Sequence, residues 1–458
     1  MSNLPGLQLE NIFLVIISFA LILFINKKTN SESAVLLVAI LTFHHVVAYL
    51  YAFVLSLPQN EVDPTGFLNL ASECKNFGYC GYLGQYLYAN YLSKVLALGS
   101  SIYFVFLINI LFFVISLYFF IKTAELFFGK EYRKSFIFLY GLWPSVIFFT
   151  TLNYREPFEL YLLVIATYLA LTGSKSDNFV GMFVSMFLLL LMGMFHIKGL
   201  IYLAPALFII LVSYRFSFSF PSVFKRVIIL SIMAVPVFLS QEMYYDYMSE
   251  VSRSKYAKQV ENKESVNAID SLSTDKKILS KEEILFEENK NIFYLEKNYP
   301  KTKTSLFDNF MRKVTFYRAS LFFVRTPRTA FYSEIDDKNL PTFIATYSLV
   351  YLEYLFSPFI FQVNSLLSIF AYLESILRMI LFASALILLR RRPDTGVLFV
   401  LYLAITAMWA IGVVSFGASI RHHTQTNWIL VLLGVPAISE YVRMKIVDRK
   451  GNSDKILS

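Results

Sequence analysis

The chain has 458 residues, of which 57% are hydrophobic and only 16% are charged, and its mean hydropathy is +0.57. A soluble domain needs a larger charged fraction to cover its surface, so this composition excludes an ordinary soluble protein and predicts a surface that faces lipid. The net charge of +9 does not indicate nucleic-acid binding, because the lysines and arginines lie mostly in short loops and no recognition motif is present.

Apolar runs along the chain predict an all-α polytopic membrane protein with about eleven transmembrane helices. The predicted spans are 10–26, 34–57, 101–121, 135–152, 158–172, 179–195, 199–214, 227–244, 366–389, 396–415 and 427–442. Residues 1–26 lack a basic start and a small-residue cleavage site, so the first run is predicted to be a retained anchor.

Basic residues in alternate short loops predict the orientation of these spans. They lie at 27–28, 122–134, 175, 215–226, 390–392 and 443–450. Because cytoplasmic loops carry the excess of Lys and Arg, these loops are predicted to be cytoplasmic, which places the N-terminus outside and the C-terminus inside. The predicted outer loops are then 58–100, 153–157, 196–198, 245–365 and 416–426.

This topology divides the chain into three regions. They are residues 1–244 with the N-terminal helices and the first outer loop, 245–365 as a large extracytoplasmic loop, and 366–458 with the C-terminal helices and a cytoplasmic tail. Within the large loop, 275–297 is predicted to form an amphipathic helix, and 310–331 an interfacial helix rich in aromatic and basic residues.

The apolar run 343–361 lies at the end of the large loop and is predicted to be interfacial or re-entrant. Counting it as a span would place Arg390–Arg392 outside, against the positive-inside rule. A break is expected at Ser357-Pro358.

The only two cysteines, Cys74 and Cys80, both fall in the first predicted outer loop. An oxidising outer compartment permits a disulfide bridge across this short segment, and the alternative is a pair of free thiols. No Cys/His spacing typical of a zinc site is present.

Polar residues at membrane depth are costly, and the informative ones gather in the predicted outer loops. Asp63 follows the second span and is either a general base at the membrane surface or a turn residue before Pro64, with Glu61 as a weaker alternative base. In the very short loop 153–157, Arg155 and Glu156 either sit at the mouth of the helix bundle or simply begin the next helix.

Two further segments carry candidate binding residues. His196 and Lys198 interrupt an apolar stretch, either as a tight polar turn or with the lysine in a polar cavity where it neutralises a phosphate. Arg421 and His422, followed by His423, either bind phosphate and protonate a leaving group or set the depth of the helices at the interface.

Two other polar pairs are interpreted as structural. His44 and His45 lie inside the second span and are expected to pack against a polar bundle interior. Glu374 and Arg378, four residues apart in the ninth span, share a helix face and are expected to neutralise each other.

Short motifs in these outer segments resemble those of bacterial membrane glycosyltransferases of the GT-C superfamily, especially polysaccharide polymerases of the O-antigen repeat-unit type. The resemblance rests on Val62-Asp63 through Leu70-Ala71, Trp143-Pro144-Ser145 through Arg155-Glu156-Pro157, Phe416-Gly417 through Arg421-His422-His423, and Tyr354 to Phe359 followed by Leu373-Glu374. It implies a sugar or oligosaccharide donor on polyprenyl phosphate or diphosphate, a glycan acceptor and a multi-pass location in the bacterial cytoplasmic membrane.

The resemblance also implies roles for the candidate residues. Asp63 is the base that deprotonates the acceptor hydroxyl with inversion at the anomeric carbon, and Glu156 is a second acid. Arg155, Lys198 and Arg421 stabilise the departing phosphate, with His196 and His422 beside them in the substrate site. This chain departs from the pattern at Pro64, which leaves no adjacent acidic pair, and at His423, which stands in place of an arginine.

These departures leave the need for a divalent metal open, and no cofactor is required by the sequence. The alternatives are a single-sugar transferase, a transporter or flippase for a lipid-linked glycan, and a ligase-like enzyme. A transporter would favour polar residues at mid-bilayer and repeated halves with broken helices, whereas no repeat is apparent in the sequence and the ionisable candidates cluster on one side. The absence of histidine from 245–342 disfavours the ligase.

Overall fold

The computed structural model describes 8–29, 33–55, 62–77, 84–99, 101–152, 154–176, 178–195, 331, 333–363 and 366–456, with isolated positions at 308, 311, 314, 315 and 318. In these ranges the regular elements are α-helices with two 3-10 turns, and no β-strand is formed. An all-helical architecture satisfies every internal backbone group within one segment, which the interior of a bilayer requires.

We number the α-helices of the described ranges in chain order. They are α1 Leu9–Lys28, α2 Ala34–Phe53, α3 Val62–Phe77, α4 Gly84–Leu98, α5 Ile102–Phe128, α6 Arg133–Gly141, α7 Pro144–Thr150, α8 Glu156–Lys175, α9 Phe179–Phe195, α10 Leu340–Phe356, α11 Leu366–Arg391, α12 Gly396–Gly412, α13 Phe416–His423 and α14 Asn427–Ile456.

Within the described ranges, six segments are long and apolar enough to cross a membrane. They are Leu9–Lys28, Ala34–Phe53, Ile102–Phe128, Glu156–Lys175, Ser368–Arg391 and Pro393–Gly412. A helix of about 20 residues rises about 30 Å, which matches the hydrocarbon core. These segments coincide with six of the predicted spans, and they define a helical protein of the multi-pass membrane class.

The other predicted spans differ in length or lie outside the described residues. Helix α9 is apolar but has only 17 residues, and 199–214 and 227–244 are outside the described ranges. The last predicted span, 427–442, forms part of the 30-residue α14. The count of eleven therefore stays a prediction.

The predicted span 135–152 is divided into two short helices. Helix α6 ends at Gly141, and α7 begins at Pro144 after the non-helical residues Leu142 and Trp143. Proline lacks the N–H that an ongoing helix would use, so it is tolerated in the first turn of a new helix and not in the middle of an old one. The apolar pattern of this run concealed the interruption.

Basic loops that are distant in sequence meet at one end of the bundle. The guanidinium of Arg133 donates to Thr29 O at 2.7 Å and pairs with Glu125, so α6 is joined to the ends of α1 and α5. At the same end, Arg391 and Glu440 are 2.9 Å apart, which joins α11 to α14. Four of the loops that the sequence assigns to one side, at 27–28, 122–134, 390–392 and 443–450, thus have contacts at this end, and their assignment to the cytoplasm stays a prediction.

The long predicted loop returns to the bundle through α10. Its Tyr351 hydroxyl lies 2.9 Å from Thr406 Oγ1, so α10 packs along α12, and the helix ends at Phe356, before the expected break.

Of the predicted helix 310–331, the described positions up to 318 are helical. Arg318 is buried and donates to Ala410 O and Val413 O, at the C-terminal end of α12. The predicted helix 275–297 lies outside the described residues.

Helices α11 and α14 approach closely at Gly434. A Cβ added there would stand 2.9 Å from Leu381 Cα, nearer than side chains can pack. Small residues at such crossings let membrane helices meet backbone to backbone.

We expect Gly434→Ala to lower the free energy of unfolding by about 1–3 kcal/mol, because the two backbones must separate to admit a methyl group. Thermal unfolding of the purified protein in detergent measures the effect. Gly396→Ala is the matched control, since the nearest atom to an added Cβ is 3.9 Å away. Equal melting of both variants would show that the close approach contributes nothing.

Candidate active site

Two glutamates in the first turn of α8 form the centre of the candidate site. Glu156 and Glu159 are both 0% exposed. The N-terminal end of a helix favours negative charge, which explains their place in the first turn. Carboxylates buried this completely nevertheless need cationic or hydrogen-bonding partners.

Those partners come from the preceding residue and from α13. Arg421 Nε lies 2.9 Å from Glu156 Oε1, and Arg155 Nε lies 3.7 Å from Glu159 Oε1. The amide of Gln425, two residues beyond α13, donates to Glu159 Oε2. Two arginines and two glutamates, from segments more than 260 positions apart, therefore form one buried cluster.

The Glu156 carboxylate is held by charge more than by directed hydrogen bonds. Neither of its oxygens accepts a hydrogen bond from the part of the chain that the structure describes. The contact with Arg421 is close but not aligned as a hydrogen bond. The oxygens of this carboxylate can therefore still accept hydrogen bonds, for example from the hydroxyl group of a ligand or from a side chain that moves.

Aromatic rings line the two arginines. The Arg421 guanidinium lies 5.9 Å from the ring centre of Tyr154, and that of Arg155 lies 5.7 Å from the ring centre of Phe67. Both distances suit an attraction between a cation and the face of a ring. Because Phe67 belongs to α3, the first predicted outer loop is brought to the cluster.

Arg155 also connects the cluster to the end of α9. Its Nη1 donates to Phe195 O at 3.3 Å. Phe195 is the last residue of α9, immediately before His196 in the sequence. The short loop, the first predicted outer loop and the end of α9 therefore meet at Arg155.

The two histidines of α13 have different environments. His422 stacks on Trp409, with ring centres 3.7 Å apart and planes 15° from parallel, while Trp409 Nε1 donates to Gln425 Oε1 at 3.1 Å. His423 is fully buried and donates through Nε2 to Tyr354 O at 2.9 Å. Burial lowers the pKa of His423 well below its usual value, and the nearby Arg378 lowers it further. A neutral His423 ties α13 to α10 and so holds Arg421 in place.

Tyr88 of α4 lies near the same charges. Burial raises the pKa of Tyr88 well above its usual value, and the neighbouring Tyr91 and Glu156 raise it further. The phenol therefore stays protonated at physiological pH.

A second buried network supports the site from behind. Arg378 and Glu374 are 3.1 Å apart in α11, as the four-residue spacing predicts, and the amide N and Oγ of Ser145 both donate to Glu374 at 3.0 Å. Arg378 also donates to Ser357 O at 2.8 Å, just beyond α10. With its amide turned so that donors face acceptors, Asn427 accepts from Trp143 Nε1 at 2.8 Å and donates to His423 O at 3.2 Å, which connects this network to α13.

The histidines of the second span are part of the packed interior, as expected. His44 lies 3.0 Å from both Thr150 Oγ1 and Gly141 O, and His45 lies 2.8 Å from Ser18 Oγ. These contacts join α1, α2, α6 and α7. None of the partner residues belongs to the arginine cluster.

The structure brings four of the predicted site residues together. Arg155, Glu156, Arg421 and His422 lie in the cluster or beside it.

Asp63 occupies the first turn of α3, one helical turn before Phe67, and its side chain is not described. His196 and Lys198 lie outside the described residues. Cys74 is buried and disulfide-bonded, and Cys80 lies outside the described residues.

Sequence reasoning missed Glu159, Gln425, Trp409 and Tyr88. Glu159 had a signal, because it stands four residues after Arg155 at the start of a predicted helix, where the two side chains share a face. The other three are joined to the cluster by tertiary contacts that no spacing in the sequence indicates. Among the described residues, no group of three or more His, Cys, Asp or Glu side chains is arranged to hold a metal ion.

No known protein family, curated protein or solved structure matches this chain. The membrane class therefore rests on the apolar helices.

We expect Arg421→Gln to lower the free energy of unfolding by about 3–5 kcal/mol, because it leaves the buried Glu156 carboxylate without its cation. Adding Glu156→Gln to the same protein is expected to restore part of the loss. Thermal unfolding of the two single variants and the double variant gives the coupling energy between the residues.

The control is Arg391→Gln, which breaks the ion pair with Glu440 at side chains that are 49% and 36% exposed. This change is expected to alter stability by less than about 1 kcal/mol. A coupling energy near zero for Glu156 and Arg421 would mean that the two charges do not depend on each other.

Proposed function

We propose that this protein is a GT-C-type membrane glycosyltransferase that uses a sugar donor carried on polyprenyl phosphate or diphosphate. The observation that supports the proposal most directly is the buried cluster of Arg155, Glu156, Glu159 and Arg421. It joins segments that the sequence assigns to outer loops on one side of the membrane. Guanidinium groups at such a position can donate hydrogen bonds to the phosphate of a lipid-linked donor.

In the proposed reaction Asp63 removes the proton from an acceptor hydroxyl. The hydroxyl oxygen attacks the anomeric carbon from the face opposite the phosphate, and the bond between that carbon and the phosphate oxygen breaks, with inversion. The electron pair of the broken bond leaves with the phosphate, whose charge is stabilised by nearby cations. The position of Asp63 in the first turn of α3, the helix that contacts Arg155 through Phe67, agrees with a place beside the donor site.

The ion pairing refines the roles of the other residues. Two arginines and two glutamates are neutral as a group, so the cluster offers orientation and hydrogen-bond donors more than net positive charge. In this proposal Glu156 and Glu159 orient the guanidinium groups of Arg421 and Arg155. Lys198, three residues after the Phe195 carbonyl that Arg155 binds, supplies the additional charge for the phosphate.

Polymerisation of polysaccharide repeat units is the preferred form of this activity, because the region 245–365 is large enough to cover a long glycan. A transferase of single sugars and a flippase for a lipid-linked glycan are the competing functions. The bacterial cytoplasmic membrane, with the site on its outer face, is the proposed location.

We expect Asp63→Asn to remove glycosyl transfer, because the amide cannot accept the proton of the acceptor hydroxyl. In cells, at matched protein levels, the expected product is a single lipid-linked repeat unit in place of long chains. Glu73→Gln is the matched control, an exposed carboxylate of the same helix that is expected to leave chain length unchanged.

Chains of full length in the Asp63→Asn cells would refute Asp63 as the base. A purified variant that binds the lipid-linked donor but transfers nothing supports the transferase. If wild-type protein moves the donor across vesicles and forms no glycosidic bond, it is a flippase.

A further inference from the structure

Residues 424–427 connect α13 to the start of α14, and this connection is both polar and buried. Its sequence is Thr-Gln-Thr-Asn, and none of the four residues is more than 1% exposed. Connections between helices usually lie at the surface, where water satisfies their polar groups. A buried connection must satisfy those groups through the protein, so the partners of its side chains show what it joins.

Gln425 joins two helices from the middle of this connection. Trp409 Nε1, in α12, donates to Gln425 Oε1 at 3.1 Å, and the side-chain nitrogen of Gln425 donates to Glu159 Oε2 in α8. An indole N–H only donates and an ionised carboxylate only accepts. A glutamine amide meets both requirements without adding a charge, because it carries one acceptor oxygen and one donor nitrogen. Its two partners therefore determine its orientation together.

The main chain of Gln425 is fixed as well. Its carbonyl oxygen accepts from Trp428 Nε1 at 2.9 Å, and its N–H donates to His422 O at 3.3 Å. The side chain thus extends towards α8 from a backbone that is held on both sides, so the fold sets the position of the amide.

Glu159 directs its two oxygens at different partners. Oε2 accepts from Gln425, whereas Oε1 lies 3.7 Å from Arg155 Nε. Because a carboxylate is planar and rigid, a hydrogen bond to one oxygen limits where the other can lie. Gln425 therefore sets the place of the negative charge beside Arg155.

We propose that Gln425 is a positioning residue for Arg155: its amide fixes the carboxylate of Glu159, and this carboxylate orients the guanidinium towards the phosphate of the substrate. The assignment of a phosphate to Arg155 rests on the proposed function. Gln425 touches no substrate itself, and Trp409 holds its amide in place. The position of α12 is thereby transmitted to the start of α8.

The test is a double-mutant cycle on the purified full chain, with Gln425→Met and Glu159→Gln as the single variants. Methionine is unbranched like glutamine but makes neither hydrogen bond. Gln425→Met is expected to lower kcat/KM for transfer from the lipid-linked donor about tenfold, the equivalent of one hydrogen bond to a charged group. In the Glu159→Gln background the same change is expected to cost less than about twofold, because no carboxylate remains to be positioned.

A second readout does not require transfer. The same cycle is measured on the binding of a polyprenyl monophosphate that carries no sugar. Gln425→Met is expected to weaken this binding, and to weaken it less in the Glu159→Gln background.

A pH profile of Gln425→Glu separates positioning from packing. The introduced carboxyl group can donate to Glu159 while it is protonated, as the amide does, but once ionised it only accepts and repels that carboxylate. The ratio of its kcat/KM to that of the wild type is therefore expected to fall as the pH rises. A residue that only fills space would give a constant ratio.

Thr426→Val is the matched control. It removes a hydroxyl of the same buried connection that donates to His423 O at 3.2 Å, and this carbonyl also accepts from the Thr426 main-chain N–H at 2.9 Å. Transfer and binding are expected to stay unchanged. The indole N–H signals in the NMR spectrum report on the fold: Gln425→Met is expected to shift that of Trp409 and to leave that of Trp428, which donates to the main chain.

Wild-type protein that transfers sugar but shows equal losses in both backgrounds, or no loss, overturns the role of Gln425 and leaves the proposed function standing. Wild-type protein that binds the polyprenyl phosphate, shows the smaller loss of binding in the Glu159→Gln background and forms no glycosidic bond refutes the transferase and supports this role. If wild-type protein binds no polyprenyl phosphate, both are wrong.

Discussion

The burial of two carboxylates determines which segments meet at the candidate site. Glu156 and Glu159 have no exposed surface, and each such carboxylate would cost several kcal/mol without a compensating partner. Arg421 and Arg155 provide that compensation. Arg421 comes from α13, whereas Arg155 directly precedes α8 and is held by contacts with α3 and the end of α9. The positions of α13, α3 and the end of α9 around the start of α8 follow from this requirement.

The same requirement explains how a short helix can be placed accurately. Helix α13 has only eight residues, too few for stability alone. It is fixed at its start by Ser415, whose hydroxyl accepts from Ala418 N at 3.3 Å, and near its end by His423 on the Tyr354 carbonyl. Supports at both ends fix the position of Arg421 relative to Glu156.

The sequence predicted the fold where its signal is local and repetitive. Six apolar runs became helices long enough to span a membrane, and contacts among four of the basic loops agree with their predicted place at one end. The gathering of Arg155, Glu156 and Arg421 also followed from topology, because their loops share one side.

Pairing within the cluster was not predictable in the same way. Which arginine meets which carboxylate depends on tertiary packing, and so do the contacts of Gln425 and Trp409. The interruption at Pro144 is an intermediate case, since the proline was visible in the sequence but the apolar run around it indicated one continuous span.

That interruption has a consequence for how the protein is made. The first turn of α7 gives the amide of Ser145 to Glu374, a residue 229 positions later in the chain. Because Glu374 is synthesised after Ser145, this amide has no access to its final partner until α11 is present. The packing of α7 against α11 is therefore completed only after the C-terminal part of the chain has been made.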